Sequence, residues 1–234
     1  MRARVPLVLL PALLCDEELY RAEVAAIADL ADPLVVTVAE PSIETAAAVV
    51  LSRAPERFAL AGTSAGGNLA LEVLATARSR VLGLWLTGVN PGASADPAGT
   101  RRLSDRVRAG EFDKVADELA ARCIHAGGPR AAEALATLRG MAHRGGPAVF
   151  LRQNEAMITR RDRSGVFDAL AVPALLLWGR HDTFAPPERA AAIASRLSSA
   201  RLEVLEDCGH LPTLEAPDAT TRAVRTWLEA IRAS

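Results

Sequence analysis

The chain has 234 residues, half of them hydrophobic, a mean hydropathy of +0.15 and a net charge of −1. It is long enough to bury a sizeable core and too apolar to be disordered, and its near-neutral charge argues against nucleic acid as a partner. Of 27 basic residues only Lys114 is a lysine, a compositional bias that reads as a GC-rich bacterial coding sequence rather than an adaptation.

The first residues, Met1-Arg2-Ala3-Arg4 followed by an apolar run from Val5 to Cys15, imitate a secretory leader. The run is too short to span a bilayer, Pro6 and Pro11 interrupt it, and no small-x-small cleavage site follows. Leu14 is too bulky to precede a lipid-modified Cys15. Val5–Leu10 is instead expected to be a buried parallel strand in a cytoplasmic protein with no membrane association.

Further strands are expected at Leu34–Val38, Phe58–Ala61, Val81–Leu86, Ala174–Trp178 and Leu202–Leu205. Most are continuously apolar, as strands buried on both faces must be. Between them, Leu19, Ala22, Ala26, Ile27 and Leu30 form one helical stripe, with Asp16 placed as its cap. Val224, Trp227, Leu228 and Ile231 form another, after Pro217 in the first turn. This alternation predicts an α/β fold: a mostly parallel, twisted sheet with helices on both faces.

The alternation stops between Asn90 and Asp168, where helical patterns such as Phe112, Val115, Leu119 and Cys123 are separated by Asn90-Pro91-Gly92, Gly127-Gly128-Pro129 and Gly145-Gly146-Pro147. Four short helices inserted into the core are expected. The organisation is then core from 1 to 90, helical cap from 91 to 168, and core again from 169 to 234.

Three segments carry chemistry. Phe58 to Thr63 runs into Gly62-Thr63-Ser64-Ala65-Gly66 and then an apolar helix, the pattern of a serine held on a strained strand-to-helix turn. The small residues let the backbone fold back, and the helix start aims free N–H groups at negative charge beside Ser64. A serine hydroxyl needs a base to take its proton and a third group to orient that base. Gly179-Arg180-His181-Asp182 puts Asp182 just beyond one strand, and Asp207-Cys208-Gly209-His210 puts His210 just beyond the next. The order Ser64, Asp182, His210 is nucleophile, acid, base. Asp182 could instead cap the helix that starts near Pro186, and Asp96 then stands as reserve acid.

Other residues invite blander readings. His181 lacks partners at ligand spacing, so no metal is expected. His125 and His143 read as solvated cap residues. Cys15, Cys123 and Cys208 read as small buried hydrophobes in a reducing compartment.

Together with Leu9-Leu10-Pro11-Ala12-Leu13-Leu14-Cys15-Asp16 and His210-Leu211, these segments frame the whole core. On them the chain resembles α/β-hydrolase fold serine hydrolases with a helical cap, similar to small bacterial esterases and enol-lactonases. The resemblance implies Ser64 as nucleophile, Asp182 as acid and His210 as base, with backbone N–H groups of Leu13 and Ala65 forming an oxyanion hole. It implies no cofactor and a small or medium carboxylic ester or lactone as substrate, with Phe184 and Leu211 in the pocket of a monomer or homodimer. Acyl transfer, perhydrolysis and carbon–carbon bond hydrolysis use the same triad, and a non-catalytic ligand-binding homologue keeps the same fold. Three positions depart from the family pattern. Ala12 stands where the oxyanion loop usually has glycine, and Ala65 replaces a bulkier residue, which predicts a roomier pocket floor. The sequence also opens directly on the strand before that loop, without the family's usual short strand pair, so a shortened sheet edge is expected.

Overall fold

The computed structural model describes residues 3–168 and 170–233; Arg2, which opens the basic and apolar N-terminal run, lies outside them. Six strands, β1 (Val5–Leu10), β2 (Ala31–Val35), β3 (Phe58–Thr63), β4 (Val81–Thr87), β5 (Ala174–Gly179) and β6 (Ala200–Leu205), form one parallel sheet in the order β2-β1-β3-β4-β5-β6. The chain moves from β1 outward to β2 and returns to place β3 on the other side of β1. That reversal opens a crevice beyond the carboxyl ends of β1 and β3, where ligands of open α/β sheets bind.

The apolar strands divide their side chains between two cores, as the period of two requires. Val8, Leu10, Leu60, Leu86, Leu176 and Trp178 face one, beneath α2 (Ile43–Arg53), α3 (Ala65–Ala77) and α7 (Pro187–Ala194). Leu7, Leu9, Ala59, Ala61, Trp85 and Leu175 face the other, with α1 (Arg21–Ala26) and α9 (Pro217–Ala233). On that face the small Ala59 and Ala61 accompany an aromatic row in which Trp85 meets Tyr20 edge-on at 5.7 Å and Trp227 at 6.4 Å. Edge-to-face contacts of this kind stabilise by about 1 kcal/mol beyond burial. Among the described residues no helix is long and apolar enough to cross a membrane.

Two expected elements are displaced. The second strand begins at Ala31, not Leu34, because pairing with β1 starts at Val5 opposite Ala31 and carries Pro33 opposite Leu7. A proline is tolerated there because β2 is an edge strand with one side unpaired. Thr37 and Val38 leave the sheet and line a cavity. The first helical stripe also shifts phase. Asp16 caps a 3-10 turn, Glu17–Tyr20, before α1 begins, and its three-residue period turns Glu23 inward and leaves Ala22 exposed.

Between β4 and β5 lie α4 (Pro97–Arg108), α5 (Phe112–Cys123) and α6 (Ala131–Thr159). The last is two helices joined across Gly146, which has φ 73° and ψ 179°, just before Pro147. Among the described residues the stretch between β4 and β5 therefore has four α-helical segments, followed by a 3-10 turn, Ser164–Phe167, with a break at Gly110 (φ 88°) that its surroundings in sequence do not announce. Its own small core holds Val107, Val115, Ala116, Ala142 and Phe150 and takes in Leu14 from the loop after β1. A four-residue helix, α8 (Pro212–Glu215), precedes α9.

Candidate active site

Ser64 joins β3 to α3 with φ 55° and ψ −116°, a conformation that costs a residue with a side chain about 1–3 kcal/mol. The surrounding backbone over-determines it. Ser64 N–H donates to Thr87 O at 2.8 Å, and its carbonyl accepts from Asn68 N at 3.0 Å and Asn68 Nδ2 at 3.2 Å. A Cβ on Gly62 would overlap the Gly66 carbonyl, and one on Gly66 would overlap the carbonyls of Leu10 and Pro11. The two glycines thus let α3 start against both its own strand and the loop after β1.

His210 and Asp182 come from the loops after β6 and β5 and are both buried. His210 Nδ1 lies 2.7 Å from Asp182 Oδ2; a carboxylate can only accept, so Nδ1 is the donor of this bond. The other oxygen, Oδ1, accepts from Phe184 N at 2.8 Å and Ala185 N at 2.9 Å. Asp182 therefore shapes the turn ahead of α7 and orients the imidazole at once. Asp96 does neither: it caps α4 through Gly99 N at 2.7 Å, in solvent.

Ser64 and His210 line one cavity, with Leu13, Phe184 and Leu211. Cap residues Ala116, Leu119, Cys123 and Leu138 roof it, and among the described residues no acidic, lysine or arginine side chain lines it. Phe184 tilts over the His210 ring at 5.0 Å, and Arg122 covers Phe184 at 4.3 Å. Ala65 faces elsewhere. It lines a second cavity, behind the loop after β1, with Val36, Val38, Ile43 and Met157.

The loop after β1 turns back on itself, with Cys15 N donating to Ala12 O at 3.0 Å. Its left-handed residue is Leu14 (φ 58°), so Ala12 fits without the freedom of glycine. A left-handed φ disfavours leucine by about 1–2 kcal/mol. Tyr20 anchors the start of the loop: its hydroxyl donates to Leu10 O at 2.9 Å and accepts from Thr63 Oγ1 at 2.8 Å, beside Ser64.

Sequence patterns miss three contributors. Tyr20, the chain's single tyrosine, is one. Gly88 (φ +60°) is another: a Cβ there would sit 2.6 Å from His210 Cε1 and 3.2 Å from Asp182 Oδ2. Glu215 is the third, a buried carboxylate that accepts from Gly209 N (2.8 Å), Leu211 N (2.9 Å) and His125 N of the cap (2.8 Å). His125, expected in solvent, is half-buried and stacks on His181 at 3.8 Å between centroids, because the Glu215 bond draws its backbone against the His210 loop.

The thiols are held neutral. Burial, with Asp182 and Glu215 nearby, pushes Cys123 up to about 12, and burial raises Cys15 and Cys208 as well.

The alpha/beta hydrolase fold family matches residues 54–217, and the chain belongs to that family. A pimeloyl-[acyl-carrier protein] methyl ester esterase of Nitrosomonas europaea is 28% identical over 186 residues, covering 76% of this chain and 73% of that protein. Among solved structures, a thermophilic esterase of Thermogutta terrifontis superposes with a TM-score of 0.87 at 24% identity, over 99% of this chain and 92% of the other. An enol-lactonase of Burkholderia xenovorans gives 0.85 at 22% identity, over 97% and 92%. At such identities these likenesses establish the shared fold, and with the esterase relative they support a hydrolase.

Proposed function

We propose that the protein is a serine hydrolase that cleaves a small to medium carboxylic ester or lactone through an acyl-enzyme on Ser64. The observation that carries this reading is one uncharged, largely apolar cavity bordered by Ser64 and by a histidine whose far nitrogen is bonded to a buried carboxylate. The names of the similar proteins, two esterases and a lactonase, agree with it.

In this mechanism Ser64 Oγ attacks the carbonyl carbon while His210 Nε2 takes its proton. Asp182 keeps the proton on Nδ1 and stabilises the imidazolium. Backbone N–H groups of Ala65 and Leu13 receive the charge that develops on the carbonyl oxygen, each worth about 3 kcal/mol in comparable sites. His210 then protonates the departing alkoxide, and water, activated by the same imidazole, releases the acid. The neutral thiols of Cys15 and Cys123 do not compete with Ser64 as nucleophiles. An uncharged lining also favours substrates with no charge near the scissile bond, since an unpaired ion there would be desolvated.

A panel of p-nitrophenyl esters of rising acyl length, with lactones alongside, tests the reading, together with a fluorophosphonate probe. Turnover is expected, and labelling is expected to disappear in Ser64→Ala. Labelling that survives that substitution would place the nucleophile elsewhere, and folded protein inert to both would reject the hydrolase.

A further inference from the structure

The second half of the loop after β1 is gripped by the cap at two points. Leu14 N donates to Gln153 Oε1 at 3.0 Å, and Gln153 Nε2 donates to Val38 O at 2.8 Å. Asp16 N points at Met141 Sδ at 3.5 Å, and the Asp16 carboxylate receives Arg144 at 2.7 and 3.1 Å. Met141 and Arg144 precede the break in α6 at Gly146, and Gln153 follows it, so each half of that helix holds one of the two points. The Leu14 side chain lies in the cap's own core with Ala142 and Phe150, one from each half.

The turn itself explains what these contacts are for. Ala12 to Cys15 is closed by the Cys15 N–H to Ala12 O bond, with Leu14 third in the turn at φ 58°. A left-handed third residue is the mark of a type II turn, which ordinarily requires glycine or asparagine there. A leucine at that place favours type I, which differs by a flip of the Leu13–Leu14 peptide. That flip would turn the Leu14 N–H away from Gln153 and set the Leu13 carbonyl against the Gln153 oxygen.

We propose that Gln153 is a positioning residue for the loop that carries the oxyanion hole: it holds the Leu13–Leu14 peptide in its strained type II orientation, and with it the turn whose second residue is Leu13, the oxyanion donor of the proposed mechanism. The inference rests on the acyl-transfer reading above. In it the cap is part of the machinery that stabilises the transition state as well as the roof over the substrate. Gln153 touches no reacting atom and acts only through the loop.

Gln153→Met keeps the length of the side chain and removes the acceptor. Its kcat on short p-nitrophenyl esters is expected to fall roughly 10- to 100-fold, with KM changed less than about twofold. The affinity of a trifluoromethyl ketone, which forms a tetrahedral adduct with Ser64, is expected to fall by the same factor. Adding Leu14→Gly is expected to recover part of the lost kcat, because glycine takes the left-handed conformation unaided. In the wild-type protein, hydrogen exchange is expected to find the Leu14 amide protected. A folded, fully active Gln153→Met enzyme overturns the proposal, as does a rise in KM alone or an unchanged ketone affinity. An unprotected Leu14 amide overturns it however the variants fold. A wild type inert to every ester and to fluorophosphonate overturns the hydrolase reading, and with it the oxyanion assignment; an active wild type matched by its Gln153→Met variant overturns only the role of Gln153.

Discussion

Glu215 holds His210 by its neighbours rather than by its ring. Its carboxylate takes the N–H groups on either side, Gly209 and Leu211, while the His210 N–H itself donates to Cys123 O at 2.7 Å. Three successive backbone donors of this loop are thus satisfied by one buried acid and one cap carbonyl.

Glu215→Ala is expected to leave three donors, Gly209, Leu211 and His125, without their partner. At about 1–3 kcal/mol for each unsatisfied buried group, partly relieved by water, a loss on the order of 3 kcal/mol of stability follows. It is expected to lower kcat more than it raises KM, since the substrate cavity is left intact and the imidazole loses its placement. Thermal unfolding and steady-state kinetics on one preparation check both effects. A variant as stable as wild type would show that the carboxylate is dispensable.

Ser64, His210 and Asp182 are expected to act as a unit. His210→Ala and Asp182→Asn should each lower kcat by several orders of magnitude, with little further loss when either is combined with Ser64→Ala. Asp96→Asn should leave kcat unchanged, because Asp96 caps α4 in solvent. Single and double variants assayed on one ester decide it, and additive losses would mean that the three do not share a mechanism.

Glu23 predicts a pH dependence unrelated to catalysis. It is fully buried, and beyond its own backbone amide neither oxygen has a hydrogen-bond partner; burial pushes its pKa up to about 8 from an ordinary 4.5. A carboxyl whose folded pKa is raised binds its proton more tightly in the folded state. Its contribution is therefore intact below pH 4.5 and declines as pH climbs toward 8. At about 1.4 kcal/mol per pH unit, a loss of roughly 3–4 kcal/mol is expected between pH 5 and 8. Glu23→Gln should abolish that decline, so that the variant's advantage in Tm grows with pH. An advantage that is constant across the range would mean that Glu23 is not protonated in the folded protein.

What was legible in the sequence follows from how locally each feature is determined. The buried strands could be read because a strand covered on both faces must be largely apolar, as Phe58 to Ala61 is. The turn at Ser64 could be read because overlap with Gly66, Leu10 and Pro11 leaves only glycine at two places. Glu215 could not, since a glutamate in a short helix reads as solvated until the loop it serves is folded around it. Gln153 escaped for the same reason: its partner Leu14 is 139 residues away. Glu23 was missed because a 3-10 start rotates the helix by a fraction of a turn that composition does not record.

Ala65 separates two uses of space near the nucleophile. It lines the cavity behind the loop after β1, with Val36, Val38, Ile43 and Met157, while its backbone N–H serves Ser64 in the proposed mechanism. The two cavities share Ala12, Leu13 and Cys15, so an acyl chain that passes the loop would gain apolar burial in the second. Each methylene buried there is worth up to about 0.8 kcal/mol, or roughly fourfold in kcat/KM. Activity is therefore expected to rise over several carbons of acyl length in wild type. Ala65→Met should fill the second cavity, shorten the preferred chain and leave acetate esters largely unaffected. The kcat/KM series on p-nitrophenyl esters from acetate upward, in both proteins, measures it. An equal loss at every chain length would mean that the substitution had disturbed the turn at Ser64 or the N–H of residue 65, and the acyl chain would then have to lie under the cap against Leu119 and Leu138.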